Sequence, residues 1–420
     1  MPEYAASHSS RWPLWHGLRP ALLALGIAAA LLTGCGGQNK DDPIVPEPPV
    51  VVYPPQADSE TPIAEVAGPG ELKDARLMAT LSLDDIREAV ATGSGKGLQV
   101  QPAYPVQAWR LTYLTTDGQG REVLASGLVA MPVKAADAKS PVVSYQHATI
   151  YRNASAPTNN LTANEPPLLL AAMGFIVVAS DYVGYGESQS SQHPYLLSGP
   201  TAAAVTDLLT AARIWRQREH RPGNGQLFLT GYSEGGYATM AAHRALQFGG
   251  GPHLSQLVAS FPGAGPYDLQ VTMDGLLDRV RDESSVLAAL INPGFLRYLG
   301  STVRNELRRL MVRLVIPDDA DVVFQTTVID HFLADDTAAL ARDASVHQWA
   351  PLRPVGLFHG HDDETVPYAA SVSALNAMRA RGATDVTLTD CSATPSSHLG
   401  CVKDYFSTVL QRMTTLARDL

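Results

Sequence analysis

The chain has 420 residues, 45% of them hydrophobic and 17% charged, enough apolar content to bury a large core and to exclude intrinsic disorder for its bulk. Forty-one acidic side chains against 31 basic ones leave a formal charge of -10 with no dense Lys/Arg run, which argues against nucleic acid as a partner. Length alone leaves the number of domains open, since ~150 residues per domain is only a soft prior.

At the N-terminus, Arg11 and Arg19 precede an apolar run at 21–32, the charged and hydrophobic regions of an export signal. The run is shorter than the ~20 residues that a membrane-spanning helix needs. It ends in Leu32-Thr33-Gly34-Cys35, which resembles a bacterial lipobox; the resemblance implies that 1–34 is a removed signal peptide and that Cys35 carries lipid. Residue 36 is Gly rather than Asp, which resembles the outer-membrane rather than the inner-membrane sorting pattern of lipoproteins. The expected location is therefore the outer membrane of a Gram-negative bacterium, or the cell surface, with the membrane contacted through lipid on Cys35. Residues 35–70 are rich in Pro, Gly, Asp and Glu (Pro43, Pro46, Pro48, Pro49, Pro54, Pro55, Pro62, Pro69) and read as an extended tether.

Residues 71–420 read as one domain. Two β-rich runs, 106–116 and 121–133, are separated by Asp117-Gly118-Gln119-Gly120, a hairpin signal. Short apolar runs follow at 141–146, 174–180, 226–230, 256–262, 354–359 and 385–390, with helical patterns at 200–218, 234–247, 368–379 and 402–417. Strand alternating with helix at these lengths predicts an α/β fold, a mostly parallel sheet flanked by helices with an antiparallel hairpin at its start. The alternation breaks at 265–350, where Met273, Leu276, Leu277 and Val280, then Val303, Leu307, Leu310, Met311 and Leu314, fall at helical spacing. This segment reads as a helical cap, and the first of its faces either packs on the core or lines a pocket.

The chemistry begins at Gly231-Tyr232-Ser233-Glu234-Gly235-Gly236, which follows an apolar strand and opens a helix. In that context G-x-S-x-G implies a sharp turn that lifts Ser233 above the sheet edge as a nucleophile; the bland reading is a tight turn with an ordinary Ser. A serine hydroxyl needs a base, and the base an orienting carboxylate. In the doubly wound hydrolase order the acid follows the serine and the histidine comes last. After the segment His359-Gly360-His361-Asp362-Asp363-Glu364-Thr365-Val366-Pro367 the chain holds a single histidine, His398, which makes it the candidate base. Order alone leaves Asp362 and Asp363 as rival acids.

The segment is similar to the H-G-x-x-D-x-x-V-P acid loop of α/β-hydrolase esterases and prolyl-oligopeptidase-like hydrolases, and that resemblance selects Asp363. Asp181-Tyr182-Val183-Gly184-Tyr185-Gly186-Glu187-Ser188, followed by His193-Pro194-Tyr195-Leu196, resembles bacterial relatives of the secretory lipase family. The likeness covers about 105–265 and 350–420 and implies the α/β-hydrolase fold. It also implies two oxyanion donors: the N–H of Glu234, and one from Gln146-His147-Ala148-Thr149, at Thr149 by position or at Ala148. Relatives usually have His-Gly there, so Ala148 is a departure.

Cys391 and Cys401 are the cysteines left after Cys35, and in an exported chain they read as a disulfide. His359-x-His361-x-Asp363 also fits the opening of a metallo-β-lactamase ligand set, but Glu364 stands where the next His is expected. Gly93-Ser94-Gly95-Lys96-Gly97 departs from a phosphate loop at both ends. His193 and His243 read as structural hydrogen-bonded groups. The resulting expectation is an exported, lipid-anchored serine hydrolase of carboxylic esters, short to medium acyl chains favoured, requiring no cofactor and no metal. The alternatives are a prolyl-oligopeptidase-like peptidase, for which no room exists for a preceding β-propeller; a true long-chain lipase; and an inactive surface-binding lipoprotein.

Overall fold

A computed structural model describes residues 59–92, 100–283 and 294–420. The export signal, Cys35, the first part of the Pro-rich stretch and the Gly93–Gly97 turn lie outside the described residues.

In chain order the strands are β1 (Leu72–Leu81), β2 (Val106–Thr116), β3 (Glu122–Pro132), β4 (Val142–Gln146), β5 (Ile176–Ser180), β6 (Leu227–Tyr232), β7 (Leu257–Gly263), β8 (Val355–His359) and β9 (Val386–Asp390). They form one sheet ordered β1-β2-β3-β5-β4-β6-β7-β8-β9. β1, β2 and β3 pair antiparallel, β3 meets β5 antiparallel, and the pairings from β5 through β9 are parallel. The completely buried β4, β5 and β6 are short, mainly apolar runs without polar alternation, as expected of strands covered on both faces.

The helices are α1 (Leu83–Thr92), α2 (Pro166–Ala172), α3 (Ser198–Arg218), α4 (Glu234–Gly249), α5 (Leu269–Glu283), α6 (Ser301–Val315), α7 (Thr327–Leu333), α8 (Tyr368–Ala380) and α9 (Val402–Leu416). α1, α2 and α9 cover one face of the sheet through Ile86, Leu168, Phe406 and Met413, packed on Val143, Phe228 and Phe261. α3 and α4 cover the other through Leu208, Leu209 and Ala242, packed on Val178 and Leu229. The helix after β4 and the helix after β6 thus leave adjacent strands toward opposite faces. A crevice opens there at the C-terminal strand ends, the place where doubly wound sheets bind ligands.

Three elements depart from the sequence expectation. β1 is an edge strand that buries only its end residues Leu72 and Leu81, so it lacks the alternation that marks a half-buried strand. α1 buries only Ile86. α2 begins with Pro166-Pro167, which suggests a loop in sequence although proline is well tolerated in a first helical turn. The sheet accordingly opens with three antiparallel strands rather than a hairpin alone.

The Pro-rich stretch engages the domain before residue 70. Glu60 is buried against Arg216 and Arg213 on α3 and accepts the Gly223 N–H at 2.6 Å, while Ile63 N–H donates to Gln217 at 2.7 Å and Arg218 pairs with Glu65 at 2.7 Å. The segment between β7 and β8 is helical as expected, α5 through α7 ending in a π-helical turn at Leu340–Ala344. Met273, Leu276, Leu277 and Val280 are all buried, in one cluster with Tyr237, Met240, Leu307, Met311 and Phe332. This face of the cap packs on the core.

Candidate active site

β6 delivers Ser233 at the crevice. Its backbone sits at φ 59°, ψ -123°, a conformation that side chains rarely adopt and that is held by Ser233 N–H to Gly263 O (2.8 Å) and Tyr237 N–H to Ser233 O (3.0 Å). The turn closes so tightly that a Cβ on Gly235 would lie 2.1 Å from the Gln146 carbonyl, which explains the second glycine of the pentad. Within the 231–236 hexapeptide Ser233 alone is not fully buried.

The loop after β9 brings His398 to this hydroxyl. His398 Nε2 lies 2.9 Å from Ser233 Oγ, and Nδ1 lies 2.6 Å from Asp363 Oδ2. A carboxylate oxygen only accepts, so Nδ1 carries the proton and Nε2 is left bare toward the serine hydroxyl. Asp363 Oδ1 accepts the N–H groups of Thr365 and Val366, each at 2.9 Å. Burial alone would raise this carboxyl, but hydrogen bonds from His359 and His398 and the electrostatic pull of the two rings hold it well below the usual carboxylate range. It faces His398 as an anion.

The rival acid does something else. Asp362 is exposed, and its Oδ2 accepts the Ser396 N–H and hydroxyl, both at 2.9 Å, two residues before the histidine. Gly360 allows the two loops to meet, because a Cβ there would lie 2.0 Å from the Ser396 carbonyl. The two histidines of the H-x-H pair diverge. His359 is fully buried behind Asp363 (3.2 Å) and bonds Val366 O and Ser371 Oγ, whereas His361 stacks on Tyr368 beside Asp390. Among the described residues no group of three or more His, Cys, Asp or Glu is arranged to hold a metal ion.

Cys391 and Cys401 are disulfide-bonded with Cα atoms 5.8 Å apart, closing the loop that carries His398. Closing so short a loop stabilises by roughly 2.5 kcal/mol in the chain-entropy model. Replacing both cysteines by serine is expected to lower the unfolding free energy by about that amount in urea titrations; an unchanged midpoint would contradict it. The loop is also tied down by Tyr232, whose hydroxyl donates to the His398 carbonyl at 2.8 Å. Sequence reasoning missed both Tyr232 and the backing role of His359, although each lies within a motif it singled out.

The loop after β4 forms the opposite wall. His147 Nδ1 donates to the Ala148 carbonyl (2.8 Å), and the Thr149 hydroxyl lies 3.3 Å from that of Tyr195. The N–H groups of Glu234, Ala148 and Thr149 donate to no other described residue. Ala148 and His147, with Tyr145, Ile150, Pro166, Tyr232 and Phe406, line a cleft of about 340 Å³ rimmed by Ser155, Asn160 and Glu165. The lining includes no residue of the cap.

No protein-family model matches the chain, and no curated protein does. Solved structures do match. The rice cell wall degrading esterase LipA from Xanthomonas oryzae aligns at a TM-score of 0.62 with 25% identity, over 84% of this chain and 100% of that one. Candida antarctica lipase A in its closed state aligns at 0.51 with 17% identity, over 81% and 83%. With the sheet order and parallel strands above, these likenesses show that the chain has the α/β-hydrolase fold.

Proposed function

We propose that the protein is a serine hydrolase that cleaves carboxylic esters through an acyl-enzyme. The observation that supports it is the hydrogen-bonded series Ser233, His398, Asp363, in the chain order of the fold. Ser233 Oγ attacks the ester carbonyl while its proton moves to His398 Nε2. His398 then protonates the departing alcohol, and water activated by the same nitrogen releases the acid. Asp363 keeps Nδ1 protonated and stabilises the imidazolium. The Glu234 N–H and one from Ala148 or Thr149 stabilise the tetrahedral oxyanion, each donor contributing ~3 kcal/mol to transition-state stabilisation. The name of the Xanthomonas neighbour, an esterase, supports ester cleavage in particular.

The cleft lined by Tyr232, the residue before Ser233, and by His147 and Ala148 has about 340 Å³, at the small end of the ~300–1,000 Å³ typical of ligand sites, and as the acyl site it favours short to medium chains. Across p-nitrophenyl esters from acetate to palmitate, kcat/KM is expected to rise by up to ~0.8 kcal/mol per methylene buried and then level off at medium length. The measurement uses protein lacking residues 1–35. A steady rise through palmitate with activation at a lipid interface would make the protein a long-chain lipase, and equal rates on matched anilides would make it an amidase.

Export and lipid anchoring through Cys35 belong to the same proposal, supported by Leu32-Thr33-Gly34-Cys35 after the apolar run at 21–32. Cys35→Ala is expected to abolish lipid modification and to move the protein from the detergent phase to the aqueous phase. Unchanged partitioning would contradict the anchor.

A further inference from the structure

Glu234 supplies more than a backbone N–H. Its side chain is 2% exposed and points away from Ser233 to His193, itself 1% exposed, with Oε1 and Nε2 2.7 Å apart. His193 Nδ1 lies 2.9 Å from the Val183 carbonyl, which only accepts, so Nδ1 carries a proton. The hydrogen between Nε2 and Oε1 is then a single proton, whichever atom holds it. The pair is an ammonium-like imidazole with a carboxylate or a neutral imidazole with a carboxylic acid, and its net charge is zero in both forms.

No side chain other than His193 donates a hydrogen bond to Glu234 among the described residues. Its Oε2 has no hydrogen-bond partner. The surrounding titratable groups are engaged elsewhere: Tyr182 donates to His147 O, Tyr185 to Ile150 O, Tyr237 to Leu196 O, and Tyr195 meets Thr149. His147 faces the carbonyls of Ala148 (2.8 Å) and Asp181 (3.3 Å), and Tyr151 packs on Phe324. His193 is caged by Tyr182, Tyr185, Tyr195 and Phe324, with ring centroids 5.0–6.0 Å away. Its backbone is bridged to the cap, His193 N–H to Val323 O and Gln325 N–H to His193 O, both at 2.8 Å. One residue therefore joins the cap to the residue that follows Ser233.

We infer that Glu234 and His193 form a positioning pair, which fixes the Glu234 N–H toward the oxyanion and keeps the buried carboxyl beside it without net charge. The inference rests on the ester-hydrolase reading. An unpaired carboxylate there opposes the negative charge that develops on the substrate oxygen, and in a water-poor site this repulsion is large. Gln at 193 keeps a donor near Oε1 but cannot share the proton, so the carboxylate is left without the proton that neutralises it.

The test is a double-mutant cycle of the full chain with p-nitrophenyl butyrate at pH 9. His193→Gln is expected to lower kcat on the order of 10²-fold, with KM changed less than about three-fold. Adding Glu234→Gln removes the carboxylate and is expected to raise kcat at least ten-fold above His193→Gln. Glu234→Gln alone completes the cycle. A His193→Gln protein that folds only together with Glu234→Gln supports the same charge argument. A folded His193→Gln with wild-type kcat at pH 9, or a double variant no better than the single in folding or turnover, overturns it. Wild-type protein that does not turn over the ester defeats the ester-hydrolase reading instead, whereas an active wild type with an additive cycle defeats only this inference.

Discussion

Replacing Ser233 by alanine is expected to lower ester turnover by on the order of 10⁴ or more while leaving the fold intact, because nucleophile and base act as a unit. The bonds that hold the turn are backbone bonds, Ser233 N–H to Gly263 O and Tyr237 N–H to Ser233 O, and they survive the loss of Oγ. Alanine keeps the Cβ that the positive φ already accommodates, so the substitution removes the hydroxyl facing His398 Nε2 and little else. kcat/KM on p-nitrophenyl butyrate, measured beside the thermal midpoint, checks this. A folded variant that keeps a tenth of the activity would refute the role of Ser233.

Asp363→Asn is expected to be nearly as severe, with a loss on the order of 10⁴ in kcat. An amide at this position presents a donor to His398 Nδ1, so the proton shifts to Nε2 and the ring can no longer accept from Ser233. Asp362→Asn keeps an oxygen for Ser396 and is expected to cost less than about ten-fold, since its bonds shape the loop without touching the imidazole. The comparison is made on the same substrate with both variants shown to be folded. The reverse ranking would move the acid by one residue.

The site was legible in sequence where chemistry is carried by order and local turn geometry. Gly231-Tyr232-Ser233-Glu234-Gly235 is a local signature because the close approach of Gly235 to Gln146 demands glycine within the pentad itself. His398 stood out because no other histidine follows the acid loop. Asp363 and Asp362 were not separable by order, because what distinguishes them is depth: one carboxylate is enclosed by His359 and His398, the other faces solvent. The Glu234–His193 contact joins positions 41 apart with no shared periodicity, so only the folded loops reveal it. His193 therefore read as structural, and Glu234 as a backbone donor alone.

The same division applies to the fold. β4, β5 and β6 announce themselves because both of their faces are covered and most of their side chains are apolar. β1 pairs its backbone with β2 but buries little, and a strand held mainly by hydrogen bonds leaves a weak pattern in its side chains. The docking of residues 60–65 on α3 depends on Glu60 finding two arginines more than 150 positions away, which a Pro-rich composition conceals.

The most direct measurement of the central claim is labelling of the wild-type protein with a fluorophosphonate, followed by mass mapping of the adduct. The reagent phosphonylates a serine only where a neighbouring base has activated it, so it reports the reactivity proposed for Ser233 without any assumption about the natural ester. The account predicts one adduct per chain, located on Ser233 and lost in His398→Ala. An adduct on a different residue, or none on a folded protein, would contradict it.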